Sequence, residues 1–386
     1  MSASPQAASG QPATATPVYS PGLDGVIAGE TAICQVDPGG VLLYRGYDIH
    51  GLATHTIFEQ VAALLLLGEL PDVGGTERLR ADLAEAAELP VPVVNMLRLV
   101  PPTTHPMDIL RTGVSMLAAF DPDFDNPTHD ANVRKAMRLV ARAPTLIGAA
   151  ARIARGESPV HPIPGQRLAE RLLHGLTGVS LQPWQAQAID VILALYAEHE
   201  FNASTFAARV TASTLADIYA AATSASGTLK GALHGGANEQ AMNVLREVGT
   251  AANAAAWVAG KLARHEKIMG FGHRIYRTGD SRVPVMRDLI RRMGQQIGQE
   301  QWADVCEALE SAVSQQKGLC ANVDLYAAPA LHMLGIPPAL NTPIFACARM
   351  AGWCAHVIEQ HDHNRLIRPR SLYTGPARRE YTGGAM

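Results

Sequence analysis

The sequence predicts a nearly all-α protein, and three observations support this fold class. Apolar residues recur at helical spacing along most of the 386 residues, whereas a convincing strand pattern occurs once, at residues 31–44. Hydrophobic residues make up 47% of the chain and charged residues 17%, which is ample material for a large core. The helical pattern shows no repeat of fixed period, so a solenoid is not expected.

Each element has its own signal in the sequence. Residues 1–16 are small and polar, with neither basic residues nor an apolar run, and we expect a disordered tail rather than a targeting signal. At residues 31–44, TAICQV and VLLY flank DPGG and predict a small β-hairpin. Apolar periodicity and flanking Gly or Pro then predict helices at 58–67, 107–120, 131–142, 144–155 after a break at Pro144, 183–199, 204–222, 239–248, 252–266, 283–293, 300–316, 326–334 and 344–360.

Charge and cysteine content narrow the class of protein further. The 32 Lys and Arg residues nearly balance the 35 Asp and Glu residues, which argues against a general nucleic-acid binder. The longest apolar run, residues 61–67, is far shorter than the roughly 18 residues that a membrane helix requires. Five cysteines, an odd number without CxxC spacing, predict buried free thiols in the reducing environment of the cytoplasm.

Four polar segments at helix ends could carry chemistry. Three of them are AEHEFNAST with His199 and Asn202, LKGALHGGANE with His234, and EKIMGFGHRIYRTGDSR with His273. The fourth, KGLCANVDLY, has Asp324 just before a helix. A lone histidine near a helix end is often a cap or a surface group, but His234 and His273 lie among glycines, which permit close backbone approach to a ligand. Because GFG follows no predicted strand, a dinucleotide fingerprint is not expected.

Three arginines and one cluster of metal-binding residue types each allow two interpretations. An unpaired charge on an apolar helix costs desolvation free energy, so Arg349, Arg282 and Arg368 could form internal ion pairs or clamp a small dicarboxylate. Residue types that bind zinc crowd the last helix: Cys354, His356, Glu359, His361 and His363. Their spacing does not put three ligands on one face, and we expect no metal site.

In these motifs and their order, the sequence resembles the citrate synthase family, including its 2-methylcitrate synthase branch. The resemblance covers residues 21–376, nearly the whole chain. It rests on GLDGVIAGETAI, LLYRGYDI, LLLLGELP, HPMDILRT, AEHEFNASTFAARV, LKGALHGGANE, IMGFGHRIYR, NVDLY and TPIFACARMAGWCAHVIEQ with LIRPRS. It implies a two-domain, mainly all-α citrate synthase-like fold with a small N-terminal β-hairpin.

The resemblance also implies a role for each candidate residue. Asp324 would be the general base that removes the α-proton of acetyl-CoA, and His234 would stabilise the resulting enolate. His273 would polarise the carbonyl of oxaloacetate. The other implied contacts are the oxaloacetate ligands His199, Asn202, Arg282, Arg349 and Arg368, and the CoA ligands Ile268, Met269, Gly270, Phe271, Gly272, Arg277 and Lys317.

The organisation of the chain follows from the same resemblance. Residues 17–221 and 326–386 would form a large helical domain, and residues 222–325 a small domain that closes over the site when oxaloacetate binds. A cytoplasmic homodimer is expected, with Arg368 contributed across the interface. The substrates would be oxaloacetate and an acyl-CoA, with no metal or redox cofactor, no nucleic acid and no membrane. Because no extra β-rich N-terminal domain is apparent, control by NADH is not expected.

Three departures from the family's usual motifs bear on the choice of acyl group. DSR replaces DPR before Arg282, Leu325 stands where many citrate synthases carry Phe, and Ala321 stands where Pro often precedes NVD. Because Leu325 adjoins the base, we expect room for propionyl-CoA, and one methylene gives only about 1–3 kcal/mol of discrimination. Citrate synthase is the expected activity, and 2-methylcitrate synthase is the alternative.

Two further functions remain as alternatives. The chain could be a catalytically silent paralogue that binds CoA or a partner, but the set of His234, His273 and Asp324 is complete. It could also be a citryl-CoA lyase, because that reaction uses the same residues. The ligase machinery for ATP-driven activation of citrate is absent, and thioester hydrolysis pulls the equilibrium toward condensation.

Overall fold

The computed structural model describes residues 19–381, and it confirms a mainly α-helical protein with a small sheet. Residues 31–367 form one compact unit, and the described parts of the two terminal segments, 19–30 and 368–381, form another. The second unit contains a short 3₁₀ helix, Pro21–Leu23. The expected disordered tail at residues 1–16 lies outside the described residues.

The predicted hairpin is confirmed, and a third short strand extends it. The antiparallel sheet has the order β1 (Cys34–Val36), β2 (Leu42–Tyr44) and β3 (Tyr47–Asp48). Asp37 closes the first turn, because its Oδ1 accepts hydrogen bonds from the backbone N–H groups of Gly39 and Val41 at 2.8 and 3.2 Å. The two residues of β3 carry too little pattern for the sequence to predict them.

Sixteen α-helices follow the sheet within residues 49–362. In chain order they are α1 (Ile49–His55), α2 (Phe58–Leu67), α3 (Val73–Glu85), α4 (Val91–Leu99), α5 (Pro106–Leu117), α6 (His129–Ala154), α7 (Leu168–Thr177), α8 (Pro183–Tyr196), α9 (Ala203–Ser213), α10 (Ile218–Leu229), α11 (Ala237–Val248), α12 (Ala254–Ala263), α13 (Val283–Ile297), α14 (Gln301–Lys317), α15 (Val323–Met333) and α16 (Asn341–Asp362). Four of them, α1, α3, α4 and α7, have no counterpart in the sequence prediction.

Helix α16 lies at the centre of the larger unit. It packs against α2, α6, α8, α9 and α10, and it is buried on nearly every side. A helix that is apolar on all sides is expected in such a position. The polar side chains that α16 carries, including Arg349 and His356, are therefore enclosed and depend on partners inside the protein.

The break predicted at Pro144 is wrong, because α6 runs without interruption from His129 to Ala154. Proline removes one backbone donor and usually kinks or ends a helix. The residues that flank Pro144 are buried, and α6 packs against α5, α7 and α16. The free energy gained by burying this apolar face exceeds the cost of one lost hydrogen bond.

The single helix predicted at 204–222 is also wrong, because the chain forms two helices there, α9 and α10. Leu215 takes a left-handed φ of 65° between them. Asp217 then caps α10 by accepting hydrogen bonds from the backbone N–H groups of Tyr219 and Ala220 at 2.9 and 3.0 Å. An aspartate that caps a new helix in this way competes with continuation of the preceding one.

The predicted domain boundaries fall inside helices. Residue 222 lies within α10, and residue 325 lies within the first turn of α15. The segment between them contains α11, α12, α13 and α14. The division into a large and a small domain remains a prediction.

The cysteines are free, as predicted, but they are not all buried. Cys34, Cys306, Cys347 and Cys354 are buried, whereas Cys320 is half-buried. Within residues 19–381, no helix combines the length and the apolar character that crossing a membrane requires.

Close packing of α6 on α7 gives a first prediction. A Cβ atom at Gly148 would lie 2.8–3.0 Å from backbone atoms of Gly175, which cannot move without shifting α7. We expect Gly148→Ala to destabilise the fold by about 1–3 kcal/mol, as overpacked cores do. Urea denaturation of the variant measures this loss. Gly51→Ala is the matched control, because that helical glycine has nothing within 4 Å of an added Cβ; an equal loss in both variants would contradict the packing argument.

Candidate active site

The fold brings six of the predicted site residues to one region of the larger unit. They are His199 just after α8, His234 between α10 and α11, His273 and Arg282 between α12 and α13, Asp324 in the first turn of α15, and Arg349 on α16. These positions are distant in sequence and are joined by the side-chain contacts described below.

Tyr196 and Phe345 connect three members of this group, Asp324, His234 and Arg349. Their rings stack with centroids 4.3 Å apart. The hydroxyl of Tyr196 donates a hydrogen bond to Asp324 Oδ1 at 2.9 Å. Phe345 meets the His234 ring edge-on, with centroids 6.3 Å apart, and the Arg349 guanidinium lies 4.8 Å from the Phe345 centroid. Neither aromatic residue is conspicuous in the sequence, because each resembles the other apolar residues of a buried helix.

Asn322 holds the start of α15 against the GFG segment. Its Oδ1 accepts from the backbone N–H of Asp324 at 3.1 Å, and its Nδ2 donates to the carbonyl of Gly272 at 3.0 Å. Backbone hydrogen bonds of 2.9 Å join Asn322 to Gly270 and Gly272 to Cys320. The stretch that the sequence predicts to bind CoA is thereby fixed against the start of α15.

The ionisation of Asp324 suits a base. Burial raises the pKa of Asp324 to about 6, although the hydrogen bond from Tyr196 and the positive charge of Arg282 act in the opposite direction. The carboxylate is therefore ionised at neutral pH and yet close to the pH at which it takes up a proton. Tyr196 engages Oδ1, and no other described residue donates to the carboxylate, so Oδ2 is available.

His234 is held as a neutral imidazole. Its Nε2 accepts a hydrogen bond from the backbone N–H of Ser204 at 3.3 Å and lies 2.8 Å from Ser204 Oγ. That hydroxyl oxygen accepts from Trp353 Nε1 at 3.1 Å. A backbone N–H can only donate, so the ring proton belongs on Nδ1. Burial, with a contribution from Arg349, lowers the pKa of His234 to about 4. The ring can donate one hydrogen bond from Nδ1.

His273 is neutral in the opposite tautomer. Its Nδ1 accepts from the backbone N–H groups of Ile275 and Tyr276 at 3.1 and 3.2 Å, so its proton belongs on Nε2. Burial and the nearby Arg282 lower the pKa of His273 to about 4. His199 lies beside it, with ring centroids 5.0 Å apart, and its Nε2 lies 3.2 Å from the hydroxyl of Tyr276. Burial lowers the pKa of His199 well below its usual value.

Arg282 forms an internal ion pair, one of the two roles that the sequence allows for it. Its Nε and Nη2 donate to the two oxygens of Asp280 at 2.9 and 2.7 Å, and both side chains are buried. The same carboxylate accepts from the backbone N–H of Val323 at 3.0 Å and so ties the arginine to the start of α15. Asp280 was not among the predicted site residues, although its position two residues before Arg282 is a usable signal in the sequence.

Arg349 retains unused hydrogen-bonding capacity. Its Nε donates to the carbonyl of Tyr196 at 2.7 Å, but among the described residues its buried Nη1 has no hydrogen-bond partner. Burial lowers the pKa of Arg349, and the charge of buried Glu198 opposes this shift. Glu198 in turn lies 2.9 Å from His356 Nε2. A buried guanidinium nitrogen without a partner is a site for an added carboxylate.

The position of the Glu198 side chain requires a glycine on α16. A Cβ atom at Gly352 would lie 2.1 Å from Glu198 Oε2 and 2.4 Å from the carbonyl of Ala197. The close approach of α16 to the end of α8 therefore requires glycine at this position.

The other predicted contacts differ in their surroundings. Asn202 caps α9, and its Oδ1 accepts from the backbone N–H groups of Ser204 and Thr205. Ile268 is buried, whereas Arg277 and Lys317 are exposed cations. The contacts of these residues with substrate stay predictions. Arg368 belongs to the unit formed by the terminal segments, and its role is a prediction as well.

On α16, the side chains of His356, Glu359 and His361, whose residue types suggest zinc, contact other protein groups instead. Besides its contact with Glu198, His356 accepts from Arg209 at its Nδ1, and Arg209 also pairs with Glu359 at 2.6 Å. His361 Nε2 donates to the carbonyl of Ala216. In the part of the chain that the structure describes, no group of three His, Cys, Asp or Glu side chains is placed to hold a metal ion.

Comparisons with known proteins show the family of the chain. Residues 22–370 match the family model "Citrate synthase, C-terminal domain". "Citrate synthase 2" of Bacillus subtilis is 42% identical over 93% of this chain and 97% of its own length. "Citrate/2-methylcitrate synthase" of the same organism is 44% identical over 93% of this chain and 97% of its own length.

A solved structure also resembles nearly the whole chain. It is the ternary complex of carboxymethyl coenzyme A and oxaloacetate with citrate synthase from Thermoplasma acidophilum. It superposes with a TM-score of 0.89 at 29% sequence identity, covering 95% of this chain and 99% of that one.

Proposed function

The chain belongs to the citrate synthase family, and from that premise we propose that it condenses acetyl-CoA with oxaloacetate and hydrolyses citryl-CoA to citrate and CoA. One observation carries the proposal. A partly buried carboxylate that is ionised at neutral pH lies in one region with two neutral imidazoles of opposite tautomers. Tyr196 and Phe345 link Asp324 to His234. His273 follows Gly272, whose carbonyl accepts from Asn322 at the start of α15. Enolate chemistry needs such a base together with two uncharged donors.

The reaction begins at Asp324. Its free Oδ2 takes a proton from the methyl group of the acetyl thioester, and the negative charge passes to the thioester oxygen. The Nδ1–H of His234 donates to that oxygen, which lowers the free energy of the enolate. A neutral imidazole suits this task, because its pKa of about 4 leaves it uncharged at pH 7.

The enolate carbon then attacks the keto carbon of oxaloacetate. The Nε2–H of His273 donates to the keto oxygen, which gains negative charge as the new carbon–carbon bond forms. Because the site holds the two substrates side by side, the effective concentration of each toward the other is high, and the condensation is faster. Water then hydrolyses the citryl thioester and releases CoA. None of these reaction steps requires a metal or a redox cofactor.

Oxaloacetate supplies two carboxylates to a pocket that already contains cations. The buried Nη1 of Arg349 is the position best prepared for one of them. Arg282, fixed by Asp280, and the imidazole of His199 complete the proposed pocket on the side of His273. Guanidinium groups bind carboxylates bidentately, which fixes the orientation of the keto acid.

This clamp gives a second prediction. We expect Arg349→Leu to raise the KM for oxaloacetate roughly 10- to 100-fold, because a hydrogen bond to a charged group is lost inside the protein. Steady-state kinetics at saturating acetyl-CoA measures this change. Arg142→Leu is the control, since that partly buried arginine donates to the carbonyls of Ala86 and Glu88 outside the site. An unchanged KM in Arg349→Leu would remove this residue from the clamp.

A 2-methylcitrate synthase that uses propionyl-CoA is the second candidate. The name of one Bacillus subtilis relative includes both activities. The sequence predicts space for a propionyl group beside Leu325. In the structure, however, the Leu325 side chain is fully buried and packs over Gly270. It can influence the acyl site through the position of the Gly270 backbone rather than by lining open space.

The acyl preference is tested by measuring CoA release with oxaloacetate and either acetyl-CoA or propionyl-CoA. We expect the higher kcat/KM with acetyl-CoA, by a factor that one methylene limits to roughly 10–200. A propionyl preference would make the enzyme a 2-methylcitrate synthase. Release with neither substrate would favour the silent paralogue.

The remaining proposals concern assembly and location. We retain the homodimer with Arg368 contributed across the interface, the closing small domain and the cytoplasmic location as predictions from the family resemblance. Light scattering coupled to size-exclusion chromatography tests the dimer.

A further inference from the structure

A chain of three hydrogen bonds ends on Asp324 and has no part in the reaction described above. Asn341 Nδ2 donates to Asn238 Oδ1 at 3.1 Å, and Asn238 Nδ2 donates to the hydroxyl of Tyr196 at 2.7 Å. Tyr196 donates to Asp324 Oδ1 at 2.9 Å. Asn341, Asn238 and Tyr196 are each at most 1% exposed. Burying polar groups this deeply costs free energy unless they are hydrogen-bonded. These three hydrogen bonds are therefore an integral part of the site.

The direction of these bonds follows from the chemistry of each group. A phenol hydroxyl has one proton to donate. Tyr196 can therefore donate to Asp324 only if Asn238 does not accept that proton. Because Asn341 donates to Asn238 Oδ1, the amide of Asn238 turns its NH₂ group toward Tyr196. The phenol oxygen then accepts from Asn238 and its proton remains for the carboxylate.

Asn341 supports this arrangement at a cost. Its own Oδ1 is buried and has no hydrogen-bond partner within residues 19–381. Leaving a buried acceptor unpaired is unfavourable. The cost is consistent with a requirement that the NH₂ group of Asn341 face Asn238.

We propose that Asn341, Asn238 and Tyr196 form a relay of positioning residues that holds Oδ1 of Asp324 and directs Oδ2 toward the substrate proton. The proposal rests on the assignment of Asp324 as the base. The relay fixes the rotation of the carboxylate, and its terminal phenol stabilises the ionised form. None of its three members touches the reacting atoms.

The relay also spans the predicted domain boundary. Asn341 and Tyr196 belong to the predicted large domain, whereas Asn238 and Asp324 belong to the predicted small domain, 222–325. Every hydrogen bond of the relay therefore crosses between the two. Opening of the small domain would break all three bonds and release the carboxylate, so the base would be oriented in the closed state alone.

A double-mutant cycle on Tyr196 and Asn238 tests the relay. We expect Tyr196→Phe to lower kcat by roughly 10-fold or more, without a comparable rise in the KM for oxaloacetate. The acid limb of the pH profile of kcat should move to higher pH, because the lost donor had favoured the ionised carboxylate. Asn238→Ala should change both quantities in the same direction, yet add nothing in the Tyr196→Phe background.

Two further variants make the cycle decisive. Asn238→Asp keeps the size of the side chain, but its carboxylate accepts the Tyr196 proton, so the acid limb should again move to higher pH. Tyr219→Phe is the matched control, because this buried tyrosine donates to Asp121 outside the site. We expect the control to leave kcat and the acid limb unchanged.

Failure of the relay can be separated from failure of the base assignment. Additive effects in the cycle, or an acid limb that stays in place in Tyr196→Phe and Asn238→Asp, would overturn the relay. If Asp324→Asn is inactive in that case, the base assignment survives. If Asp324→Asn retains activity, the base assignment fails and the relay fails with it.

Discussion

We expect Asp324→Asn to lower kcat by about 10²–10⁴-fold, the range that a positioned general base contributes. Asparagine has nearly the same shape and still accepts the hydrogen bond from Tyr196, but it cannot take up the α-proton. Oxaloacetate binding should persist, because Arg349 and Arg282 are untouched. CoA release measures kcat, and titration calorimetry measures oxaloacetate binding.

Asp190→Asn is the matched control for this variant. Asp190 is a buried aspartate whose pKa is likewise raised, to about 7, by burial and by Glu59. It accepts from the backbone N–H of Phe58 and from Arg167, outside the site. We expect its replacement to leave kcat unchanged. Near-normal activity in Asp324→Asn would show that another group removes the proton.

The pH profile of the unmodified enzyme gives an independent check on the base. Asp324 must be ionised to accept a proton, and its pKa is about 6. The kcat should therefore fall as the pH drops through about 6, with the slope of a single group. His234 and His273 have pKa values of about 4 and stay neutral over this range.

His234→Ala is expected to have the next largest effect, a loss of about 10²–10³-fold in kcat. The variant removes the donor that faces the developing enolate, while Asp324 and the oxaloacetate pocket remain. Detritiation of acetyl-CoA labelled in its methyl group follows enolate formation directly, and it should slow together with overall turnover.

His332→Ala is the control for the second variant. That half-buried histidine lies on α15 with its ring edge-on to Trp302, at a centroid distance of 5.2 Å. Its removal should cost stability without slowing detritiation. Normal detritiation in His234→Ala would assign enolate stabilisation to a different donor.

The sequence predicted the fold class because long amphipathic segments dominate the chain. It failed where tertiary packing decides the outcome, as at Pro144, whose buried flanks keep α6 continuous. It also failed where a cap begins a new helix, as at Asp217. The exposed helix α3 buries two leucines, Leu79 and Leu83, and so carries a weak apolar pattern.

The candidate site was accessible through polar residues in unusual surroundings. His234 and His273 lie among glycines, and Arg349 lies on an apolar helix, so each is conspicuous in the sequence. Tyr196, Phe345 and Asn238 are not conspicuous, because an aromatic residue or an amide on a buried helix has many structural uses. Their importance depends on which distant residues they meet, and only the folded arrangement reveals that.

CoA release from acetyl-CoA by the purified protein, measured with and without oxaloacetate, tests the proposed condensation most directly. We expect release that depends on oxaloacetate, with citrate formed in equal amount, because the enolate needs a keto acid to attack before a thioester can be hydrolysed. CoA release without oxaloacetate, or no release when both substrates are present, would contradict it.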